Sequence, residues 1–176
     1  MNILITILLV LAGIIALLLI IALFMKKEHY VTREIIINAP RQKVFDYLKL
    51  LKNQEEFNKH AMADPGRKNE FKGTDGTVGY THSWSGNKNA GVGEKEIMNI
   101  IEGEKIETEI RFVKPMRAIG RMIMETASLP DDQTKVNWSN AGTLKYPINL
   151  FIPMMEKHVG KDMAGSLSTL KNILEK

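Results

Sequence analysis

Apolar and polar positions follow several distinct rhythms along this chain. From Ile3 to Met25 the only polar side chain is that of Thr6. As a helix, such a run of about 23 residues spans roughly 35 Å, enough to cross the hydrocarbon core of a bilayer. Tyr30 to Asn38 is then rich in β-branched residues and reads as a strand, ended by Ala39-Pro40, where a proline suits the first turn of a helix. Val44, Phe45, Leu48 and Leu51 recur at helical spacing. Past the polar stretch around Asp64-Pro65-Gly66 come strand-like segments at 68–73, 78–86, 93–101, 105–113, 118–129 and 134–143, separated by turn signals. They predict a meander of antiparallel hairpins. From Pro153 onward, Met155, Val159, Met163, Leu167, Leu170 and Leu174 share one helical face, with Lys157, Lys161 and Lys171 on others.

This order predicts an α+β fold in which one curved antiparallel sheet of about seven strands wraps around a long C-terminal helix. The chain divides into an anchor at 1–27 and a single domain at 28–176. Alternation indicates which side chains face inward. Met122, Met124 and Thr126 oppose Arg121 and Glu125; Ile106, Thr108, Ile110 and Phe112 oppose Glu107, Glu109 and Arg111; Val136 and Trp138 oppose Lys135 and Asn137. Val78, Tyr80, His82 and Trp84 share a face of the 78–86 segment. A lining of methionines, aromatics and a few polar tips suits a mostly apolar small molecule, and it also suits an ordinary packed core.

Charge and composition narrow the partners. Twenty-four Lys and Arg against 20 Asp and Glu leave a net charge of +4 with the signs interspersed, so nucleic acid is not an expected partner. There is no cysteine, which excludes disulfides, thiolate metal sites and cysteine nucleophiles. Leu23-Phe24-Met25 runs directly into Lys26-Lys27 without the small residues of a signal-peptide cleavage site, so the apolar run reads as a retained single-pass anchor. Lys26, Lys27 and Arg33 flank its C-terminal side, with only the terminal amine on the other, which places the domain in the cytoplasm by the positive-inside rule.

The candidate chemistry is sparse. His82 and Trp84 bring an imidazole and an indole N–H to an otherwise apolar face, where they could bind a hydroxyl or carbonyl or form a satisfied core pair. Glu94 and Glu96 are spaced to share a face with Met98 and Ile100. One could be a buried acid or base, unless a bulge after Gly93 turns it toward water. Trp138 and Asn140 repeat the aromatic-plus-amide combination, and Tyr146-Pro147 closes one end. His158 and Asp162 sit one helical turn apart without a partnering nucleophile. Gly160 and Gly165 in the final helix point to a close approach by another backbone, by a ligand or by the sheet. Gly160 to Ser166 lacks the lysine and the preceding strand of a phosphate loop, and Thr77-Val78-Gly79-Tyr80 lacks the closing glycine of a potassium filter. The four histidines have no metal-ligand spacing, so neither a metal nor another cofactor is expected.

Five stretches in this order and spacing carry a family resemblance: Ile35-Ile36-Ile37-Asn38-Ala39-Pro40 leading into Val44-Phe45; Trp84-Ser85-Gly86-Asn87; Gly91-Val92-Gly93-Glu94; Phe112-Val113-Lys114-Pro115; and Val159-Gly160-Lys161-Asp162-Met163 followed by Leu167 and Leu170. Together they resemble the START-like SRPBCC superfamily, the polyketide cyclase and lipid-transport group that also includes the birch pollen allergen. The resemblance implies a helix-grip fold with two short helices between the first two strands and an internal apolar cavity, and it moves the cavity ahead of the plain core. Where relatives often carry a Trp-rich stretch at the cavity mouth, this chain has Phe57-Asn58-Lys59-His60-Ala61-Met62. The superfamily contains carriers, sensors and cyclases, so the fold does not supply the function.

The expected ligand-lining residues are Tyr80, His82, Trp84, Glu96, Ile110, Phe112, Met122, Met124, Trp138, Met155 and Met163. The expected function is non-catalytic binding of a hydrophobic, lipid-like small molecule beside the membrane. Two alternatives stand beside it: a cyclase or hydratase using Glu96, His82 or Tyr80 for proton transfer, and a protein-interaction module with a filled cavity.

Overall fold

A computed structural model describes residues 2–88 and 90–176. Helix α1 (Ile3–Phe24) has apolar residues all round, with Asn2 capping its first turn, and only Ala22 is buried. It is the one helix among the described residues long and apolar enough to cross a membrane. Strand β1 (Glu28–Ile37) leads through Ala39-Pro40 into α2 (Arg41–Lys49), followed by α3 (Leu51–Phe57) and α4 (Lys59–Met62). Three short helices thus stand where two were expected. Asp75 explains the break between α2 and α3: its carboxylate accepts from the backbone N–H groups of Leu51 (2.8 Å) and Lys52 (3.1 Å), satisfying the first donors of a new helix.

Six further strands follow: β2 (Lys68–Lys72), β3 (Thr81–Ser85), β4 (Val92–Ile101), β5 (Lys105–Lys114), β6 (Ala118–Leu129) and β7 (Gln133–Thr143). All pair antiparallel in one sheet of order β1-β7-β6-β5-β4-β3-β2, so β1 closes on the last strand and the sheet curls. At the β6–β7 turn both Asp131 (φ 59°) and Asp132 (φ 53°) are left-handed, a conformation short Asx side chains tolerate and one that matches strand twist. A 3-10 turn (Ile148–Phe151) then opens α5 (Ile152–Leu174), which lies across the concave face.

The main core fills one end of this grip. Val31 and Ile37 of β1, Val44, Phe45 and Leu48 of α2, Ile106, Met124 and Val136 of the sheet, and Leu167, Leu170 and Leu174 of α5 pack together there. The buried alternation in β6 and β7 follows the expected parity, with Met122, Met124, Thr126, Val136 and Trp138 inward. The 78–86 segment is shorter than expected: Gly79 is left-handed (φ 84°), so pairing begins at Thr81.

Candidate functional site

The other end of the grip is hollow. A cavity of about 360 Å³ lies between the sheet and α5. Its apolar wall comes from Ile110 and Phe112 of β5, Met122 of β6, Trp138 of β7, and Met155, Val159 and Met163 of α5. Strand alternation sends these sheet residues to one face, and the i, i+4, i+8 spacing of Met155, Val159 and Met163 stacks them on one side of α5. Trp138 is 4% exposed and its indole Nε1 has no hydrogen-bond partner, a bare donor in the cavity wall.

A polar group closes the inner end. His82 on β3 and Lys95 on β4 are register partners, so their side chains emerge together on the concave face. Lys95 is 3% exposed; its Nζ donates to Gln54 Oε1 (2.9 Å), and Gln54 Nε2 donates in turn to the Leu48 carbonyl (2.8 Å). Among the described residues no carboxylate lies within ion-pair distance of that ammonium. Burial, and then the neighbouring Arg67 guanidinium, pushes the Lys95 amine down to about 7, against a weaker opposing pull from Asp75.

His82 is buried, stacked on Phe71 with ring centroids 4.6 Å apart, and its Nε2 lies 3.0 Å from Asn69 Oδ1. Its Nδ1 sits 3.5 Å from Glu55 Oε1 without forming a hydrogen bond. Burial, then Lys95 and Arg67, lowers the imidazole to about 3, so it is neutral at physiological pH. Glu55 is held by Arg67, which also stacks over Trp84. Trp84 is tied down by its Nε1–H donating to the Ala90 carbonyl (3.0 Å). Gly93 lets the indole lie against β4, since a Cβ there would come within 2.6 Å of Trp84 Cζ2.

Eight of the residues expected to line a ligand site meet at this cavity: His82, Trp84, Ile110, Phe112, Met122, Trp138, Met155 and Met163. Three lie elsewhere. Met124 sits in the filled core. Tyr80 is in a satellite cluster with Leu51 and Ile97, its hydroxyl buried without a partner. Glu96 is on the outer face with Glu94 and Glu109, all three carboxylates gathered around Arg111. The hydrogen bonds from Arg111 and Ser83 hold Glu94 below the usual carboxylate range, the reverse of a buried acid. Tyr80, His82 and Glu96 are therefore not assembled around one cavity.

Lys95 is the residue that sequence reading missed. Register shifts between Val92 and Gly93 and between Ile97 and Asn99 put Gly93, Lys95 and Ile97 inside while Ile100 still packs on the core. A lysine flanked by two glutamates looks solvated until those bulges are known. The sheet makes the close approach at Gly160, where the Arg33 guanidinium of β1 lies against it, and the Lys59 side chain of α4 lies against Gly165. His158 does lie near Asp162 (3.3 Å), and His60 approaches the same carboxylate from α4 (3.5 Å). His60 and Asp162 form part of the rim, and the trio is not a metal-holding group among the described residues.

At the opposite end the cavity borders the base of α1. His29, Thr143 and Leu144 belong to its wall, and Leu144 N–H donates to the Lys27 carbonyl (2.8 Å). The buried Asn149 side chain donates to the carbonyls of Ala22 (2.7 Å) and Met25 (3.2 Å), capping the helix end. Glu156 pairs with Lys26 (2.7 Å) and accepts from the Tyr30 N–H (3.3 Å). Met116, Ile119, Phe151 and Met154 are exposed around this end.

No family model matches the chain, and no curated protein is significantly similar to it. Solved structures are. A structural-genomics protein from Chromobacterium violaceum superposes with a TM-score of 0.61 at 14% identity, over 84% of this chain and 98% of that one. The Aha1 dimer from Colwellia psychrerythraea gives 0.58 at 17% identity, over 83% and 96%. Norcoclaurine synthase from Thalictrum flavum gives 0.62 at 14% identity, over 85% and 95%. At these identities the likeness is one of fold, and with the seven-stranded sheet closed around α5 it establishes that this chain carries the helix-grip fold.

Proposed function

We propose that this chain is a single-pass membrane protein, anchored by residues 1–27, whose domain at 28–176 binds a hydrophobic small molecule or lipid-like ligand. The observation that carries this reading is the cavity of about 360 Å³. Its walls are methionine, isoleucine and aromatic side chains, with the unpartnered Trp138 Nε1 and the Lys95 amine at hand to orient a polar end. Flexible methionines adapt to irregular apolar shapes, while one or two fixed donors set direction. The base of α1 beside the cavity and the exposed apolar side chains around it support exchange of ligand with the bilayer. Lys26 and Lys27 at that base favour a cytoplasmic domain.

The test is native mass spectrometry of the full-length chain released from mild detergent. The reading expects a bound species of several hundred daltons, or uptake of an added lipid-sized apolar compound in one-to-one ratio. A chain that carries nothing and takes up nothing would overturn it.

A further inference from the structure

Buried charges in proteins are almost always paired, because an ammonium taken out of water without a counter-ion is strongly unfavourable. Lys95 breaks that pattern in a place where a partner has room to arrive. Lys95 is one of the residues lining the cavity, and one neutral amide, Gln54, accepts a hydrogen bond from its amine. The charges around it do not supply the missing anion. Glu55 on α3 is engaged by Arg67, Asp75 is spent on the backbone N–H groups of α3, and the β3 histidine is neutral. Of the buried unpartnered polar atoms on cavity-lining residues, Trp138 Nε1 is again a donor, and the others are the ring nitrogens His29 Nδ1 and His82 Nδ1, neither of which brings a negative charge. The pocket therefore offers an unpaired ammonium and an unmatched donor; its carboxylates are Glu55, engaged by Arg67, and Asp162 at the rim, which faces His60 and His158.

We propose, building on the small-molecule reading above, that the ligand is an amphipathic monoanion: a carboxylate that pairs with the Lys95 ammonium, on an apolar body lying along Ile110, Met122, Trp138, Met155 and Met163. The free amine sits near half protonation at neutral pH, so binding an anion takes up a proton, and affinity falls as pH rises above about 7. The groups around the amine are His82 from β3, Arg67 from the segment before β2, Glu55 and Gln54 from α3, and Asp75 from the β2–β3 loop; beside burial, Arg67 and Asp75 set its titration.

The experiment is calorimetric titration of the full chain in nanodiscs with decanoate, decanol and decylammonium, corrected with empty nanodiscs, at about pH 6 and about pH 9. The expected result at the lower pH is decanoate at least about tenfold tighter than decanol, with decylammonium weakest. That preference shrinks at least about tenfold at the higher pH, and Lys95→Met abolishes it while decanol binding persists. Decanol binding as tightly as decanoate to the native chain, or Lys95→Met keeping the full preference, would overturn the anion assignment and leave the cavity reading standing. Failure of all three compounds to bind would overturn both. Should Lys95→Met fail to fold, the headgroup and pH comparisons on the native chain still decide.

Discussion

The two ends of the grip are built from the same elements and hold opposite contents. Toward α2, where Phe45, Leu48, Val136, Leu167 and Leu170 interlock, the concave face is filled with rigid aliphatic and aromatic side chains. Toward the base of α1, the same strands and the same α5 surround about 360 Å³ of space lined by methionine, indole and an unpaired ammonium. The difference is one of side-chain supply: α2 buries Val44, Phe45 and Leu48 in the core, while the helical segment after it lines the cavity with the polar Glu55, Asn58 and His60. An end that is not filled from within keeps polar donors that a packed core would have to satisfy. Packing is concentrated in one end and open space in the other.

Truncation gives the largest expected contrast. Leu48→Ala, at a fully buried position, is expected to cost about 2–5 kcal/mol, whereas Met155→Ala, whose side chain borders open space, costs less than about 1 kcal/mol. Thermal unfolding of the full chain in nanodiscs, followed by fluorescence of the buried Trp84 and Trp138, reads both. Equal losses would erase the distinction.

Lys95 sharpens it further. Its amine has a folded value near 7, far below that of an unfolded lysine. Between those values the unfolded chain binds more protons, so stability rises with pH in that window, by roughly 2–3 kcal/mol from pH 7 to 9. Lys95→Met is expected to flatten this slope and to raise stability near neutral pH in the same fluorescence measurement. His82 acts at lower pH: its depressed value means stability is lost as pH falls below about 6.5 toward about 3.

Overfilling separates the ends by the size of the effect. Ile106→Phe, in the packed end, is expected to lose about 1–3 kcal/mol. Gly120→Leu, where an added Cβ meets nothing closer than the Ala141 carbonyl at 3.5 Å, should change stability by less than about 1 kcal/mol while occupying the cavity and weakening ligand uptake at least about tenfold. The smallest effect belongs to the base of α1. Asn149→Ala removes the cap on α1, at about 1 kcal/mol, and is expected to speed hydrogen exchange at the Leu144 amide that bonds Lys27.

The filled end was largely legible in the sequence, because helical and alternating periodicities report burial directly. Val44, Phe45 and Leu48, the Met122–Thr126 alternation and the Leu167–Leu170–Leu174 stripe all fall where their spacing puts them. The hollow end was legible in its apolar members, such as Met155, Met163 and Trp138, for the same reason. Of its polar members, His82 and Trp84 were legible and Lys95 was not. The inward parity of Lys95 depends on two register shifts in β4, and the outward turn of Glu96 depends on Arg111 across the strand pair, neither of which has a periodic signature. Tyr80 left the cavity because the left-handed Gly79 ends the strand early and hands its ring to Leu51 and Ile97. Nor does spacing alone distinguish Met122, a core residue that also borders the cavity, from Met124 two residues on, which does not border it.

That pair of methionines offers the most direct test of the account. With methyl-labelled methionine in the full chain, nuclear magnetic resonance during titration with decanoate is expected to show saturable shifts at Met122, Met155 and Met163, while Met124 stays fixed. No saturable shift at the three cavity methyls, or an equal shift at Met124, would contradict the claim that this end of the grip is the binding site.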